Sequence, residues 1–372
     1  MLTEHPKYIL SDSNRKRLLK KLAKSNTVIL KLGTNILNSP LQTDSSSYFD
    51  RLARAVLAIR TSGKKVLIVS SGAVGMGKSQ LGAKKSLQIS EKQALASVGQ
   101  SLLIEKYRAA FLKLKVKVGQ ILVAKSDLSN RNSYRNLMNT LNQLLEWDVI
   151  PIINENDAVN IEELRFGDND TLASSMASFF PDSVLLVLTT VNGFQVEGKL
   201  AEHIPVVTSE IQRHAGMALP GGTGGMITKL KSAQYLLRSA LIMGIFDGND
   251  PEKLKEMLAA EMSGTWFFNA ESEKVMPAKK RWILQNKHVV AKIMVDKGAV
   301  KALFEQNASL LAVGIKKVIG TFSESEIVQV VDDSGSLIAK GQVQANSKEL
   351  LSYQKKVVIH KDVLVLVRDN ES

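Results

Sequence analysis

Six short runs of Val, Ile and Leu, separated by longer segments of helical period, constrain this chain more than any other feature. The runs are Val28 to Leu30, Val66 to Val69, Ile121 to Ala124, Val149 to Ile153, Val184 to Leu188 and Leu241 to Met243. Each is apolar at nearly every position, which suits parallel strands covered on both faces rather than a sheet with one wet face. Between the first two, Phe49, Leu52, Ala53, Val56 and Leu57 recur every three or four residues, as a helix lying on such a sheet requires. The pattern predicts a three-layer α/β/α domain with a mostly parallel central sheet.

Near Ala270 the pattern changes. After the polar stretch Glu271 to Lys280, short strand-like segments with glycine punctuation replace the long helices: Val318 to Phe322, Ile327 to Val331, Ser336 to Ala339, Val357 to Ile359 and Val363 to Val367. A small β-rich domain is expected there. The expected organisation is a basic N-terminal arm over 1–26, the α/β domain over 27–270, a connector over 271–286 and the β-rich domain over 287–372.

The net charge of +13 raises nucleic acid or acidic ligands as partners. Its distribution narrows that choice. Residues 1–26 carry seven Lys/Arg against two Asp/Glu, residues 27–284 carry 30 against 24, and residues 285–372 carry 12 against 10. The densest run, Arg15, Lys16, Arg17, Lys20, Lys21 and Lys24, reads with Leu18, Leu19 and Leu22 as a short amphipathic helix, solvated or packed on a subunit. There is no cysteine, which excludes disulfides and thiolate chemistry, and the five histidines are too scattered for zinc. No apolar run approaches the roughly 20 residues that span a bilayer, and no secretory signal is read at the N-terminus, so a cytoplasmic protein is expected.

In an open parallel sheet, ligands sit beyond the carboxyl ends of the strands. Polar residues follow the runs there. Lys31-Leu32-Gly33-Thr34 follows the first, Ser70-Ser71-Gly72-Ala73 the second, Asn154-Glu155-Asn156-Asp157 the fourth and Thr189-Thr190 the fifth. Four such ends on one edge point to a binding crevice. Gly221-Gly222-Thr223-Gly224-Gly225-Met226 opens a further helix with the apolar stripe Ile227, Leu230, Ala233 and Leu237, and Lys229 lies off that stripe in the first turn. Glycines let backbone N–H groups close on phosphate oxygens, and a helix start adds partial positive charge. Two lysines from separate glycine loops, Lys31 and Lys229, suit a phosphoryl transfer, in which charge spreads over the oxygens of the moving group. The cluster Gly167-Asp168-Asn169-Asp170 could hold a lysine or recognise an amino group, and Asp170 could also cap a helix from Thr171.

These segments resemble the amino acid kinases, and among them the glutamate 5-kinases, over nearly the whole chain from Val28. The selective part is the pair Ile153-Asn154-Glu155-Asn156-Asp157-Ala158-Val159 and Gly167-Asp168-Asn169-Asp170, together with Gly222-Thr223-Gly224-Gly225-Met226 and Thr228-Lys229-Leu230. From about residue 287, Val295-Asp296-Lys297-Gly298-Ala299, Ser309-Leu310-Leu311 and Gly314-Ile315 are similar to the PUA domain that many bacterial members carry.

The resemblance implies that ATP, accompanied by Mg²⁺, phosphorylates the γ-carboxylate of L-glutamate, the first step of proline synthesis. Lys31 and Lys229 would stabilise the transferring group while Asp170 orients them, with no metal ligand assigned to the protein. Ser71, Asp157 and Asn169, with Asn154 nearby, would bind glutamate: Asp157 suits its α-ammonium, and Asn169 or loop N–H groups its α-carboxylate. Lys31, Gly33, Thr189, Thr190, Thr223, Gly224, Gly225, Met226 and Lys229 would contact ATP. Proline feedback, a homo-oligomer and hand-off of product to glutamyl phosphate reductase are also implied.

The chain departs from the family in two places. Thr190 stands where Asp is usual, and the loop Val191 to Lys199 lacks the usual tyrosine and Asp-Pro turn; in the tail, Ser325 replaces a common glycine. Two rival readings remain. One is another amino acid kinase, such as acetylglutamate kinase or aspartokinase. The other is an RNA-binding PUA protein with a degenerate kinase core, disfavoured by the near-neutral tail.

Overall fold

The apolar runs become strands, most of them longer than the runs themselves. The computed structural model describes residues 5–37, 45–82, 88–159, 168–216, 223–272, 274–286, 289, 291–352 and 357–367. The chain divides into two compact units, Met1–Val275 and Met276–Ser372.

In the first unit the strands are β1 (Thr27–Leu32), β2 (Lys65–Ser70), β3 (Val118–Val123), β4 (Ile150–Glu155), β5 (Ser183–Thr189), β6 (Gln195–Val196), β7 (Lys199–Leu200), β8 (His203–Ile204), β9 (Ile242–Asp247) and β10 (Thr265–Phe267). The helices are α1 (Asp12–Lys24), α2 (Thr34–Leu37), α3 (Ser45–Arg60), α4 (Ala73–Leu81), α5 (Ile89–Leu112), α6 (Lys125–Ser129), α7 (Arg131–Glu146), α8 (Asp168–Phe179), α9 (Ser209–Gly216), α10 (Thr223–Arg238) and α11 (Leu254–Leu258).

The main sheet has eight strands in the order β3-β4-β2-β1-β5-β9-β10-β8. All neighbours are parallel except β9 and β10, so the mostly parallel sheet expected from the sequence is present. β1, β2, β4, β5 and β9 are buried almost throughout, as their unbroken apolar composition requires. β3 is one of the two edge strands and is only partly covered.

Alternation along the strands assigns the two faces. Val28, Leu30 and Leu32 of β1 share a core with Phe49, Leu52 and Val56 of α3 and with Leu103 and Tyr107 of α5. Ile29 and Lys31 therefore face the other side, where α8 packs against β1 and β5 and α10 packs against α8. The basic N-terminal arm is part of this unit. Leu18 and Leu22 of α1 enter the same core, Arg15 donates to the Ala260 carbonyl at 2.6 Å, and Arg17 and Lys21 reach Glu271 and the Ser272 carbonyl. Among the described residues no helix is long and apolar enough to cross a membrane.

The second unit contains α12 (Ala278–Gln285), β11 (Ala291–Val295), α13 (Lys297–Gln306), β12 (Leu310–Leu311), β13 (Ile315–Ile319), β14 (Ile327–Val331), β15 (Leu337–Gln342), β16 (Val357–Ile359) and β17 (Leu364–Leu366). A five-stranded sheet runs β13-β11-β14-β15-β17, and β12 pairs with β16. The strand expected over Val318 to Phe322 instead occupies Ile315–Ile319. Gly320 turns the chain at φ +92°, and Phe322 reaches the core from beyond the strand. Ser325 sits at φ +70°, a left-handed conformation that favours glycine. The segment read as a connector holds α12, whose Arg281 and Trp282 are buried.

Candidate active site

The site gathers at the carboxyl edge of β1, β2 and β4, where α8 and α10 approach. Lys31, one residue before the end of β1, is buried because its side chain takes the α8 face. Its ammonium meets a carboxylate there: Lys31 Nζ lies 2.7 Å from Asp170 Oδ1. Lys229, in the second turn of α10, reaches the other carboxylate oxygen, with Nζ 3.1 Å from Oδ2. All three groups are nearly inaccessible, at 6%, 8% and 1% exposure for Lys31, Lys229 and Asp170.

Two ammoniums held around one carboxylate leave one net positive charge in a dry site. Burying a charge is costly unless it is paired, and here each lysine has its own oxygen. Further donors and acceptors complete the cluster. Thr228 Oγ1 donates to Asp170 Oδ2 at 2.9 Å, Ser232 Oγ donates to the Asp170 carbonyl at 3.0 Å, and Lys229 Nζ donates to the Gly225 carbonyl at 3.0 Å. Burial alone would push the Asp170 carboxyl up, but Lys31, Lys229 and Thr228 outweigh it and hold it below its usual range. The Lys229 ammonium is pulled below its usual value by burial and by Lys31, with Asp170 opposing.

Each ammonium has a glycine beside it. A Cβ at Gly33 would stand 3.9 Å from Lys31 Nζ, and one at Gly225 would stand 3.7 Å from Lys229 Nζ. Gly33 N donates to the Leu188 carbonyl at 3.2 Å, which ties the turn after β1 to β5. Two ammoniums beside glycine backbone form a donor set of the kind that suits phosphate oxygens.

A second, polar cluster adjoins the first on α8. Asn169 Nδ2 donates to Ser71 Oγ at 2.9 Å and to Asn154 Oδ1 at 3.2 Å. Asn154 lies near the end of β4 and Ser71 just past β2, so neighbouring strands and one helix start supply all three. Gly72, at φ +106°, makes the turn from β2 into α4.

The folded chain thus brings Lys31, Lys229 and Asp170 together, and Ser71, Asn154 and Asn169 beside them. Asp157 is half-buried in the turn after β4, Thr189 ends β5 and Thr190 is exposed just beyond it. Thr223 and Gly224 open α10, with Gly225 and Met226 following. Gly167, Gly221 and Gly222 lie outside the described residues. Two readings change. α8 begins at Asp168, so Asp170 stands inside its first turn rather than capping it, with its carboxylate committed to the lysines. On α10 the buried face carries Lys229, Leu230, Ser232, Ala233 and Leu236, while Ile227 is exposed, because Asp170 makes a polar partner available to that face.

Sequence reasoning gave no role to Ser232, which holds the Asp170 backbone, or to Gln100 of α5, whose Oε1 accepts from Asn154 Nδ2 at 2.7 Å. Ser232 lies three residues after Lys229, on the same helical face, and that spacing is the signal that could have found it. Gln100 carries no comparable signal.

Residues 26–246, more than half of the chain, match the amino acid kinase family. The chain belongs to that family. Residues 291–363 match the PUA domain. Relatives cover most of this amino acid kinase. It is 38% identical over 332 residues to the glutamate 5-kinase of Desulfitobacterium hafniense (strain Y51), spanning 87% of this chain and 89% of that protein. It is 36% identical over 367 residues to the glutamate 5-kinase of Synechococcus elongatus (strain ATCC 33912 / PCC 7942 / FACHB-805), spanning 92% of this chain and 100% of that protein. Among solved structures, a Giardia carbamate kinase is similar at a TM-score of 0.47 and 18% identity, over 66% of this chain and 99% of that one.

Proposed function

We propose that this amino acid kinase transfers the γ-phosphoryl group of ATP to the γ-carboxylate of L-glutamate, giving ADP and L-glutamyl 5-phosphate. The observation that carries the reading is the division of Asp170 between Lys31 and Lys229. The carboxylate fixes two ammoniums in one place, each next to a glycine, where both can turn a donor to one phosphoryl group. The names of the relatives support glutamate as the acceptor.

Charge on the moving phosphoryl group spreads over its equatorial oxygens, and preorganised cations in a dry site stabilise that charge without reorganising. Lys229 directs two of its three donors to Asp170 and Gly225, which leaves one for a phosphoryl oxygen. No general base is needed, because a γ-carboxylate with an ordinary pKa of about 4.3 is already ionised at neutral pH. Magnesium belongs to the nucleotide substrate, chelated by its phosphates.

Asn154, Asn169, Ser71 and Asp157 form the amino acid side of the site. Thr189, Thr190 and the start of α10 form the nucleotide side. The product is a mixed anhydride prone to hydrolysis, which favours prompt hand-off to a reductase. Proline feedback, a homo-oligomeric state and a cytoplasmic setting complete the reading, in keeping with a biosynthetic role.

The test is a substrate panel with MgATP and glutamate, N-acetylglutamate or aspartate at equal concentration. Turnover should be highest with glutamate by at least about tenfold. Preference for either of the others would overturn the assignment.

A further inference from the structure

The polarity of the amides beside the catalytic lysines identifies one more working residue. Gln100 follows Gly99 on α5, where that helix presses backbone to backbone on α4. A Cβ at Gly99 would run into the Ala73 carbonyl, and one at Gly77 into the Leu95 carbonyl. Only glycine at both positions permits this approach, which brings α5 to the turn carrying Ser71 and sets Gln100 against Asn154.

A side-chain amide has donors at one end and acceptors at the other, so each hydrogen bond fixes the next. The sense of the chain is set by Glu155 N, a backbone donor that cannot reverse, which donates to Asn154 Oδ1 at 2.9 Å. Asn154 Nδ2 must then point the other way, and Gln100 Oε1 accepts from it at 2.7 Å. Asn154 Oδ1 also accepts from Asn169 Nδ2 at 3.2 Å, and the same nitrogen donates to Ser71 Oγ at 2.9 Å. Both amide protons of Asn169 are engaged. Its Oδ1 is left buried with no hydrogen-bond partner among the described residues.

A buried acceptor without a donor is unfavourable, and a ligand that supplies one relieves the cost. Glutamate offers a single strong donor, its α-ammonium. We propose that Gln100 is a positioning residue: through Asn154 it holds the Asn169 oxygen toward the substrate, so that the site selects acids bearing an ammonium group. This replaces the expectation that Asn169 donates to the α-carboxylate, and it rests on the glutamate-phosphorylating reading above. Ser71 Oγ, having accepted from Asn169, keeps its proton to donate.

The test compares Gln100→Met, similar in length but lacking the acceptor, with Gln100→Glu, which retains it. Glutamate and glutarate, which differ only in the α-ammonium, are the two acceptors, and calorimetric binding is measured alongside turnover. In Gln100→Met the KM for glutamate should rise about tenfold, the worth of one hydrogen bond, while the KM for MgATP stays within about twofold. The glutamate-to-glutarate affinity ratio should shrink by a similar factor, and Gln100→Glu should restore both values. An unchanged ratio in Gln100→Met, or equal rises in both KM values, would overturn the positioning role. Failure of the wild-type protein to phosphorylate glutamate would instead remove the underlying reading, and the two failures are told apart by the wild-type assay.

Discussion

Asp170 Oδ2 lies 3.1 Å from Lys229 Nζ, and Asp170 is 1% exposed, so this ion pair works where water cannot screen it. Asp170 Oδ1 serves Lys31 in the same way, at 2.7 Å. One carboxylate thus governs the position and charge of two ammoniums.

Asp170→Asn should therefore damage both stability and chemistry. Removing one partner from a buried ion pair costs about 3–5 kcal/mol, because the remaining charge is left uncompensated. Denaturant unfolding should show a loss of that order, and kcat should fall by roughly 100-fold or more. A variant with wild-type turnover would contradict the role given to Asp170.

Lys229→Ala separates the two effects. It removes one ammonium and leaves Asp170 paired with Lys31, so the charge of the cluster falls without stranding a carboxylate. Turnover should drop by roughly 100-fold or more with the fold intact by circular dichroism.

The depressed pKa of Lys229 predicts the alkaline side of the rate profile. Its ammonium deprotonates below the usual 10.5 in the free enzyme, so kcat/KM should decline on a limb below that value. Asp170 opposes the depression, hence the limb should move lower still in Asp170→Asn if residual activity permits measurement. A limb at or above 10.5 in the wild type would contradict this assignment. Asp170 itself contributes stability that is present above its unfolded value of about 3.9 and lost as pH falls through its lower folded value.

A separate acid effect should come from His203. Its ring stacks on Phe268 with 4.3 Å between centroids, its Nε2 lies 3.0 Å from the Phe268 carbonyl, and its Nδ1 lies 3.3 Å from Asn14 Nδ2 of α1. Nε2–H donating and Nδ1 accepting describes a neutral ring, and burial lowers its pKa below 6.5. The unfolded chain takes up the proton first, so stability is lost as pH falls below about 6.5. Thermal midpoints between pH 7 and 5 should fall more steeply for the wild type than for His203→Gln.

Gly99→Ala should separate α4 from α5 and disturb Ser71 and Gln100 together. Overpacking of this kind costs about 1–3 kcal/mol. The KM for glutamate should rise more than that for MgATP, checked by initial-rate kinetics.

Much of this arrangement was legible in the sequence where period and polarity coincide. β1 carries Lys31 and is followed by Gly33, β2 is followed by Ser71 and Gly72, and β4 carries Asn154, so the carboxyl edge of a parallel sheet already grouped these residues. What escaped depends on contacts between distant segments. The face of α10 was misread because apolar period alone cannot foresee that Asp170 admits Lys229 and Ser232 to a buried surface. Phe322 was assigned to a strand because its burial comes from a turn at Gly320 rather than from alternation. Gln100 was invisible, since only the close approach of Gly77 and Gly99 places it beside Asn154.

The most direct test of the central claim is acyl phosphate formation, trapped with hydroxylamine in the presence of MgATP and glutamate. The account predicts glutamate-dependent hydroxamate in step with ADP release, both abolished or nearly so in Lys229→Ala. ADP released without hydroxamate, or no glutamate dependence of either product, would contradict phosphorylation of the γ-carboxylate.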